Sequence, residues 1–274
     1  MFRGSAALFA SCAIAASASA ALWEPDDLSG GLVAWYDASD ASTITTNSGN
    51  VTDWLDKSGN GVHLTQATVG DQPSVVTGAM NGLDVLEFAN RTEDMDAIVG
   101  GNPVLIDAKW AAVVLQYNGS PAFSQALGSQ NASGGDNYTI QYRGDVNPDR
   151  WQGGYVTNGN PESVNGAAVN INPTIVIHDD INLTNFRLQV GGDRGINNRG
   201  WDGYIAEVIL GNQILTTEDR QTLEGYLAHK WMGANTANPL PGDHPHKIEA
   251  PVPEPTSLAL LVMGGLLIAR RRRG

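Results

Sequence analysis

The chain has 274 residues, 42% apolar in type and 16% charged, enough apolar material to bury a sizeable core and too much for wholesale disorder. Its 29 acidic and 16 basic residues give a formal charge of −13; five basic residues, Arg3 and Arg270 to Arg273, sit at ends (1–20 and 256–274) that contain no Asp or Glu. The stretch between has 11 basic and 29 acidic residues, net −18, which excludes a phosphate-backbone binder, because nucleic-acid affinity needs clustered Lys and Arg.

Residues 1–20 begin with Arg3, run apolar from Ala6 to Ala16 and end in Ala18-Ser19-Ala20. This is the tripartite pattern of a signal peptide, cut by signal peptidase after Ala20. A lipoprotein signal ending at Cys12 would leave only about five apolar residues before the cut, short for such a region. Cys12 is the one cysteine, so the mature chain has no thiol, disulfide or Cys-based metal site.

From residue 22 to 233, short apolar segments alternate with Gly, Asn, Asp and Ser. Expected strands are Leu32–Asp37, Val51–Leu55, His63–Gln66, Ser74–Thr77, Asp84–Phe88, Ala111–Tyr117, Gln125–Gly128, Tyr138–Tyr142, Gly154–Thr157, Pro173–His178, Asn185–Val190 and Tyr204–Leu210. A dozen strands punctuated by turn residues favour one all-β antiparallel sandwich or barrel over a βαβ fold. One helix is expected, Thr216 to Trp231. Thr216 and Asp219 open it as a capping box, Leu223, Tyr226, Leu227 and Trp231 recur at helical spacing, and Gly233 stops it. Residues 234–251, rich in Pro, Asn and His, read as a linker.

Two segments bracket this domain. Gly31-Leu32-Val33-Ala34-Trp35-Tyr36-Asp37-Ala38-Ser39 with Val51-Thr52-Asp53-Trp54-Leu55-Asp56-Lys57-Ser58-Gly59-Asn60 resembles the opening of bacterial concanavalin A-like (LamG-type) lectin/glucanase domains. Gly203-Tyr204-Ile205-Ala206-Glu207-Val208-Ile209-Leu210 and the helix through Glu224-Gly225-Tyr226-Leu227-Ala228-His229-Lys230-Trp231 resemble their end. The resemblance implies a jelly-roll β-sandwich of two antiparallel sheets, one concave, with the N- and C-terminal strands paired.

Retaining glycosidases of that superfamily need two carboxylates about 5 Å apart, presented on one strand so that alternate side chains share a face. Asp84 and Glu87 have the wrong spacing, Glu93-Asp94-Met95-Asp96 reads as a loop, and Glu207 is the one acid in Tyr204–Leu210. His63, His178, His229, His244 and His246 form no His-Glu-x-x-His motif, and His244 and His246 fall in the linker. No catalytic residue is assigned: the expectation is a non-enzymatic, carbohydrate-binding domain, with a polysaccharide-cleaving enzyme of the same fold or a purely structural surface protein as alternatives. Candidate ligand-binding residues are Tyr142, Arg143, Trp151, Tyr155 and Trp201, rings for the apolar faces of sugars and a planar group for their hydroxyls. A competing reading makes Trp151 and Trp201 hairpin-end residues covering the sheet edge, and Trp35, Trp54 and Trp231 are expected in the core. No cofactor motif is present. A structural Ca2+ would suit an acidic extracellular domain, with Asp26, Asp27, Asp179, Asp180 and Asp193 as candidate ligands.

The segment 252–274 carries Pro253-Glu254-Pro255, an apolar run from Thr256 to Ala269, then Arg270-Arg271-Arg272-Arg273. As a helix the run would be about 21 Å long, short of a bilayer core of about 30 Å, which snorkelling arginines extend. The order of these three elements resembles the PEP-CTERM sorting signal of Gram-negative bacteria. That resemblance implies an exosortase as partner, transient anchoring in the inner membrane, and delivery to the cell surface or an extracellular biofilm matrix where polysaccharide is the expected partner. A membrane tail that is never cut is the alternative.

Overall fold

A computed structural model describes residues 22–28, 31–119, 123–129, 138–145, 150–153, 161–164, 172–179, 181–193, 198–233 and 238–252. The chain divides into Trp23–Pro251 and a second unit, 1–22 with 252–274, nearly all of which falls outside the described residues. The expected signal peptide with its cleavage at Ala20, and the sorting residues Pro253, Glu254, Pro255 and Arg270 to Arg273 with their membrane helix, therefore lie outside them. No helix among the described residues is long and apolar enough to cross a membrane.

The strands, in chain order, are β1 (Leu32–Asp37), β2 (Ile44–Asn47), β3 (Asn50–Trp54), β4 (Leu64–Thr65), β5 (Ser74–Met80), β6 (Leu83–Phe88), β7 (Met95–Val99), β8 (Asn102–Pro103), β9 (Leu105–Ala108), β10 (Trp110–Tyr117), β11 (Phe123–Ser129), β12 (Tyr138–Arg143), β13 (Arg150–Gln152), β14 (Glu162–Ser163), β15 (Thr174–His178), β16 (Leu183–Val190) and β17 (Gly203–Gly211); one helix, α1 (Thr217–Met232), follows. All pairings between them are antiparallel, in two runs. The first is β14–β15–β10–β17, where the far edge of β17 is shared by β1 and β6, with β5 beyond β6. The second is β13–β12–β11–β16–β7–β4–β3–β2, with β9 also on β16. They meet at Asn50↔Ser74, between β3 and β5.

Strand β10 shows why both runs are held. Ala111, Val113 and Leu115 enter a core shared with Leu127, Ile140, Leu188, Val190 and Met95 of the second run, whereas Trp110, Ala112 and Val114 enter a second core beneath α1. A strand buried on both faces reads as a continuous apolar run rather than an alternating one. The helix begins at its expected cap: Thr216 Oγ1 accepts from the Asp219 N–H (3.1 Å) and the Asp219 carboxylate accepts from Thr216. It ends at Gly233, whose φ of 93° suits glycine. Leu223, Leu227 and Trp231 cover the first run.

Two expectations need correction, and a third lies outside the described residues. Strand β7 takes over the second half of the expected loop, leaving Glu93 and Asp94 outside any strand: Met95 and Ala97 point into the core and Asp96 away from it, a period-2 pattern masked by residues that disfavour strands. The strand near 154–157 falls outside the described residues, and Arg150–Gln152 is the strand beside β12. In the expected linker, residues 238–251 pack onto the domain: Leu240 is buried, His246 is hydrogen-bonded through its carbonyl to His229 Nε2 (2.7 Å), and His244 Nε2 meets Glu224 Oε2 at 3.1 Å. Gly225 makes room, since a Cβ there would stand 2.5 Å from His246 Cβ. The Trp23 N–H donates to the Pro251 carbonyl (3.1 Å), closing the unit.

Candidate functional site

The aromatic candidates come together, but inward. Tyr142 on β12 pairs directly with Trp151 on β13, and both side chains enter the shared core with Trp201 and Tyr117. Ring centroids are 5.3 Å apart for Tyr117–Tyr142, 5.2 Å for Tyr117–Trp201 and 6.2 Å for the stacked Trp151–Trp201 pair. Tyr142, Trp151 and Trp201 are 2%, 6% and 0% exposed, so their faces are spent on one another and not offered at the surface. Trp35, Trp54 and Trp231 are also buried. Tyr155 lies outside the described residues.

Arg143 faces the other way. Ile140 and Tyr142 point into the core, so the pleat turns Gln141 and Arg143 to the opposite side of β12. The register then sets Gln141 between Gln125 and Gln152, and Arg143 between Phe123 and Arg150. Two rows cross three strands, one of three glutamines and one of two arginines and a phenylalanine. Arg199 joins them: its carbonyl accepts from the Gln125 N–H (2.9 Å), and its guanidinium carbon lies 4.7 Å from the Phe123 ring centroid, with that of Arg143 at 5.0 Å. Arg143 donates from Nε and Nη2 to the two Asp145 carboxylate oxygens (2.6 and 2.8 Å) and from Nη1 to Gln152 Oε1 (2.9 Å). These bonds hold the Asp145 carboxyl below its usual range. Arg91 Nη2 donates to the Phe123 carbonyl, and Arg199 approaches the buried Asp193 at 3.8 Å. Gln141 is fully buried, yet neither its amide nitrogen nor its oxygen has a hydrogen-bond partner among the described residues. The glutamines and Phe123 escape a sequence reading that follows tyrosines and tryptophans; only strand register assembles them.

Elsewhere on the second run, Asp94 and Asp96 flank the inward Met95 and share a face. Gln189, opposite Asp96, donates from Nε2 to Asp96 Oδ1 (2.9 Å) and Asp94 Oδ2 (3.2 Å), and Gln66 also donates to Asp94. Burial pushes Asp94 up to about 7, helped by the charges of Asp96 and Asp71, and Asp96 to about 6. Burial also raises Glu93 to about 7, against a hydrogen bond from the Ala89 N–H and with Glu87, Asp71 and Asp202 nearby.

Glu207 sits on the opposite side of the molecule's strand order, beneath α1, where a bulge opposite Val114 and Leu115 turns it toward the helix. At 1% exposure it accepts from Trp35 Nε1 (2.7 Å), Tyr226 Oη (2.9 Å), Lys230 Nζ (3.0 Å) and Trp231 Nε1. Burial raises its pKa while Lys230 pulls it back. Lys230 also pairs with Asp37 (2.8 Å), which Lys230 and Lys57 hold below the usual range although burial opposes them. Four donors from β1 and α1 thus hold this carboxylate in the framework between strand and helix.

Of the calcium candidates, Asp179 is paired with Arg220, Asp27 caps the Glu24 N–H (3.0 Å), Asp193 is buried near Arg199, and Asp180 lies outside the described residues. Among the described residues, no group of three or more His, Cys, Asp or Glu side chains is arranged to hold a metal ion.

Residues 251–273 match the family model of the PEP-CTERM protein-sorting motif. That motif implies export to the surface or the extracellular space and recognition by an exosortase. No curated protein matches the chain in sequence. Two structures of a GH54 α-L-arabinofuranosidase are similar at 14% identity: a variant soaked with 4-nitrophenyl α-L-arabinofuranoside (TM-score 0.41) and a crystal soaked with a cyclic sulfate inhibitor (TM-score 0.40). Each match covers 71% of this chain and 58% of the other, so the chain spans less than two thirds of those enzymes' length. Domain 4 of AbnA, a GH43 extracellular arabinanase from Geobacillus stearothermophilus in complex with arabinotriose, is similar at 11% identity and a TM-score of 0.30, over 69% of this chain and 96% of that one.

Proposed function

We propose that the protein is an exported, exosortase-processed surface or matrix component whose domain is a concanavalin A-like jelly-roll sandwich acting as a non-enzymatic polysaccharide-binding module. The observation behind the binding reading is the double row on β11, β12 and β13. Amides supply paired donors and acceptors for hydroxyls, guanidiniums supply planar forks, and the Phe123 ring supplies an apolar face. Beneath the arginine row the buried Gln141 amide is left without a hydrogen-bond partner among the described residues, a state that costs about 1–3 kcal/mol. Affinity electrophoresis of the full chain through gels containing single polysaccharides tests it. At least one polymer retards the protein, and Phe123→Ala abolishes the retardation without loss of folded structure; migration unaffected by every polymer refutes it.

A second reading, hydrolysis, is favoured by one observation: Asp94 and Asp96 share a face, with pKa values near 7 and 6. Against it, one Gln189 amide already bridges both carboxylates. Release of reducing ends from any polysaccharide, lost in Asp94→Asn, would establish the enzyme in place of the binding module.

A further inference from the structure

Resting on that binding reading, we propose that the ligand is an anionic polysaccharide, a polymer bearing uronate carboxylates, and that Arg150, Arg143 and Arg199 read its charge. The first ground is an unfavourable pairing. Arg143 and Arg150 are directly opposite each other across β12 and β13, and like charges in that position destabilise an antiparallel pair. Asp145 engages Arg143 bidentately, while Arg150 is exposed and none of the described ion pairs includes it. A ligand carboxylate between the two strands would relieve the repulsion that Asp145 relieves in part.

The second ground is concentration of charge. In a chain of net −13, four arginines (Arg91, Arg143, Arg150 and Arg199) gather at and beside Phe123, and among the described residues the carboxylates that pair with them are Asp145 and Asp193. The patch is thus locally cationic, and because exposed charges are screened beyond about 8 Å at physiological ionic strength, the acidic remainder of the molecule does not cancel it. Arginine is also the side chain whose fork matches a carboxylate bidentately.

The third ground is independent of charge. The buried, unpartnered Gln141 lies on the same face, two residues along β12 from Arg143 and one strand from Gln152, so the arginine row stands beside a polar group that the described residues leave unsatisfied.

The test measures binding of the full chain to polygalacturonate, to its carboxyl-reduced neutral form and to a neutral β-glucan. Polygalacturonate is expected to bind at least about tenfold more tightly than its reduced form, with affinity falling as salt rises. Arg150→Gln and Arg199→Gln, both at exposed or half-exposed positions, each erase most of that preference, while Arg187→Gln, exposed on β16, leaves it intact. Equal binding of the polyanion and its reduced form overturns the charge assignment and leaves the carbohydrate reading standing. A preference for the polyanion that survives both arginine variants overturns the placement. Binding to none of the three polymers, with retardation by some other neutral polysaccharide, overturns the anionic class alone, and binding to no polysaccharide at all overturns both.

Discussion

Replacing Glu207 by alanine tests whether one buried carboxylate couples α1 to the strands. Its four donors come from two elements, Trp35 on β1 and Tyr226, Lys230 and Trp231 on α1, and converge on an acceptor carried by β17. Lys230 keeps Asp37 at 2.8 Å, so its charge is not stranded, but both indole N–H groups lose the acceptor they have. A buried donor without a partner costs about 1–3 kcal/mol, and breaking a buried pair about 3–5 kcal/mol, so a loss of about 4–6 kcal/mol is expected. That is a large share of the about 5–15 kcal/mol available to a typical domain. Glu207→Gln keeps one oxygen but turns an N–H2 toward other donors, for an intermediate loss of about 2–4 kcal/mol. Urea unfolding followed by circular dichroism measures both. The reasoning fails if Glu207→Ala unfolds within about 1 kcal/mol of the parent. Pairing Glu207→Met with Lys230→Met should recover part of the loss, since apolar replacement of a buried ion pair is often near neutral.

Stability should fall as pH rises through about 6 to 7 on account of Glu93, Asp94 and Asp96. Their folded pKa values lie above the unfolded ones, so the stability they contribute is fully present below about pH 4 and is lost across that rise. Asp94→Asn, which removes the charge and keeps one acceptor oxygen where Gln66 and Gln189 now use two, should flatten the slope of stability between pH 5 and 8; an unchanged slope would sink this assignment. Gly225→Ala places a methyl 2.5 Å from His246 Cβ, and should destabilise by about 1–3 kcal/mol while exposing residues 238–251 to protease, a pattern limited proteolysis would reveal. Trp201→Ala should cost about 3–5 kcal/mol as a core deletion, whereas Trp201→Phe should keep polysaccharide retardation; retardation lost in a well-folded Trp201→Phe variant would contradict the core role. Mass spectrometry of the mature protein from its host should find Arg270 to Arg273 removed, and an intact tail would argue against exosortase cleavage.

Local signals determined much of this protein. Capping by Thr216 and Asp219, the stop at Gly233 and the helical spacing of Leu223, Leu227 and Trp231 marked α1 to within a residue, because a helix is specified by neighbours in sequence. The apolar runs of β1, β10 and β17 were equally legible, and the tail motif is read residue by residue. Only the tertiary structure decided which face each side chain occupies. Tyr142 and Trp151 suit a surface platform by residue type, but the pleat of β12 and β13 turns them into the core and turns Gln141, Arg143, Arg150 and Gln152 to the other face, where Gln141 is still buried and Arg150 is exposed. A one-residue difference in phase inverts every side chain of a strand, and phase is set by the partner strand. The same rule hid β7 within an acidic stretch and made Asp94 and Asp96 neighbours. Histidines in a Pro-rich segment read as tail until Gly225 let that segment close onto α1.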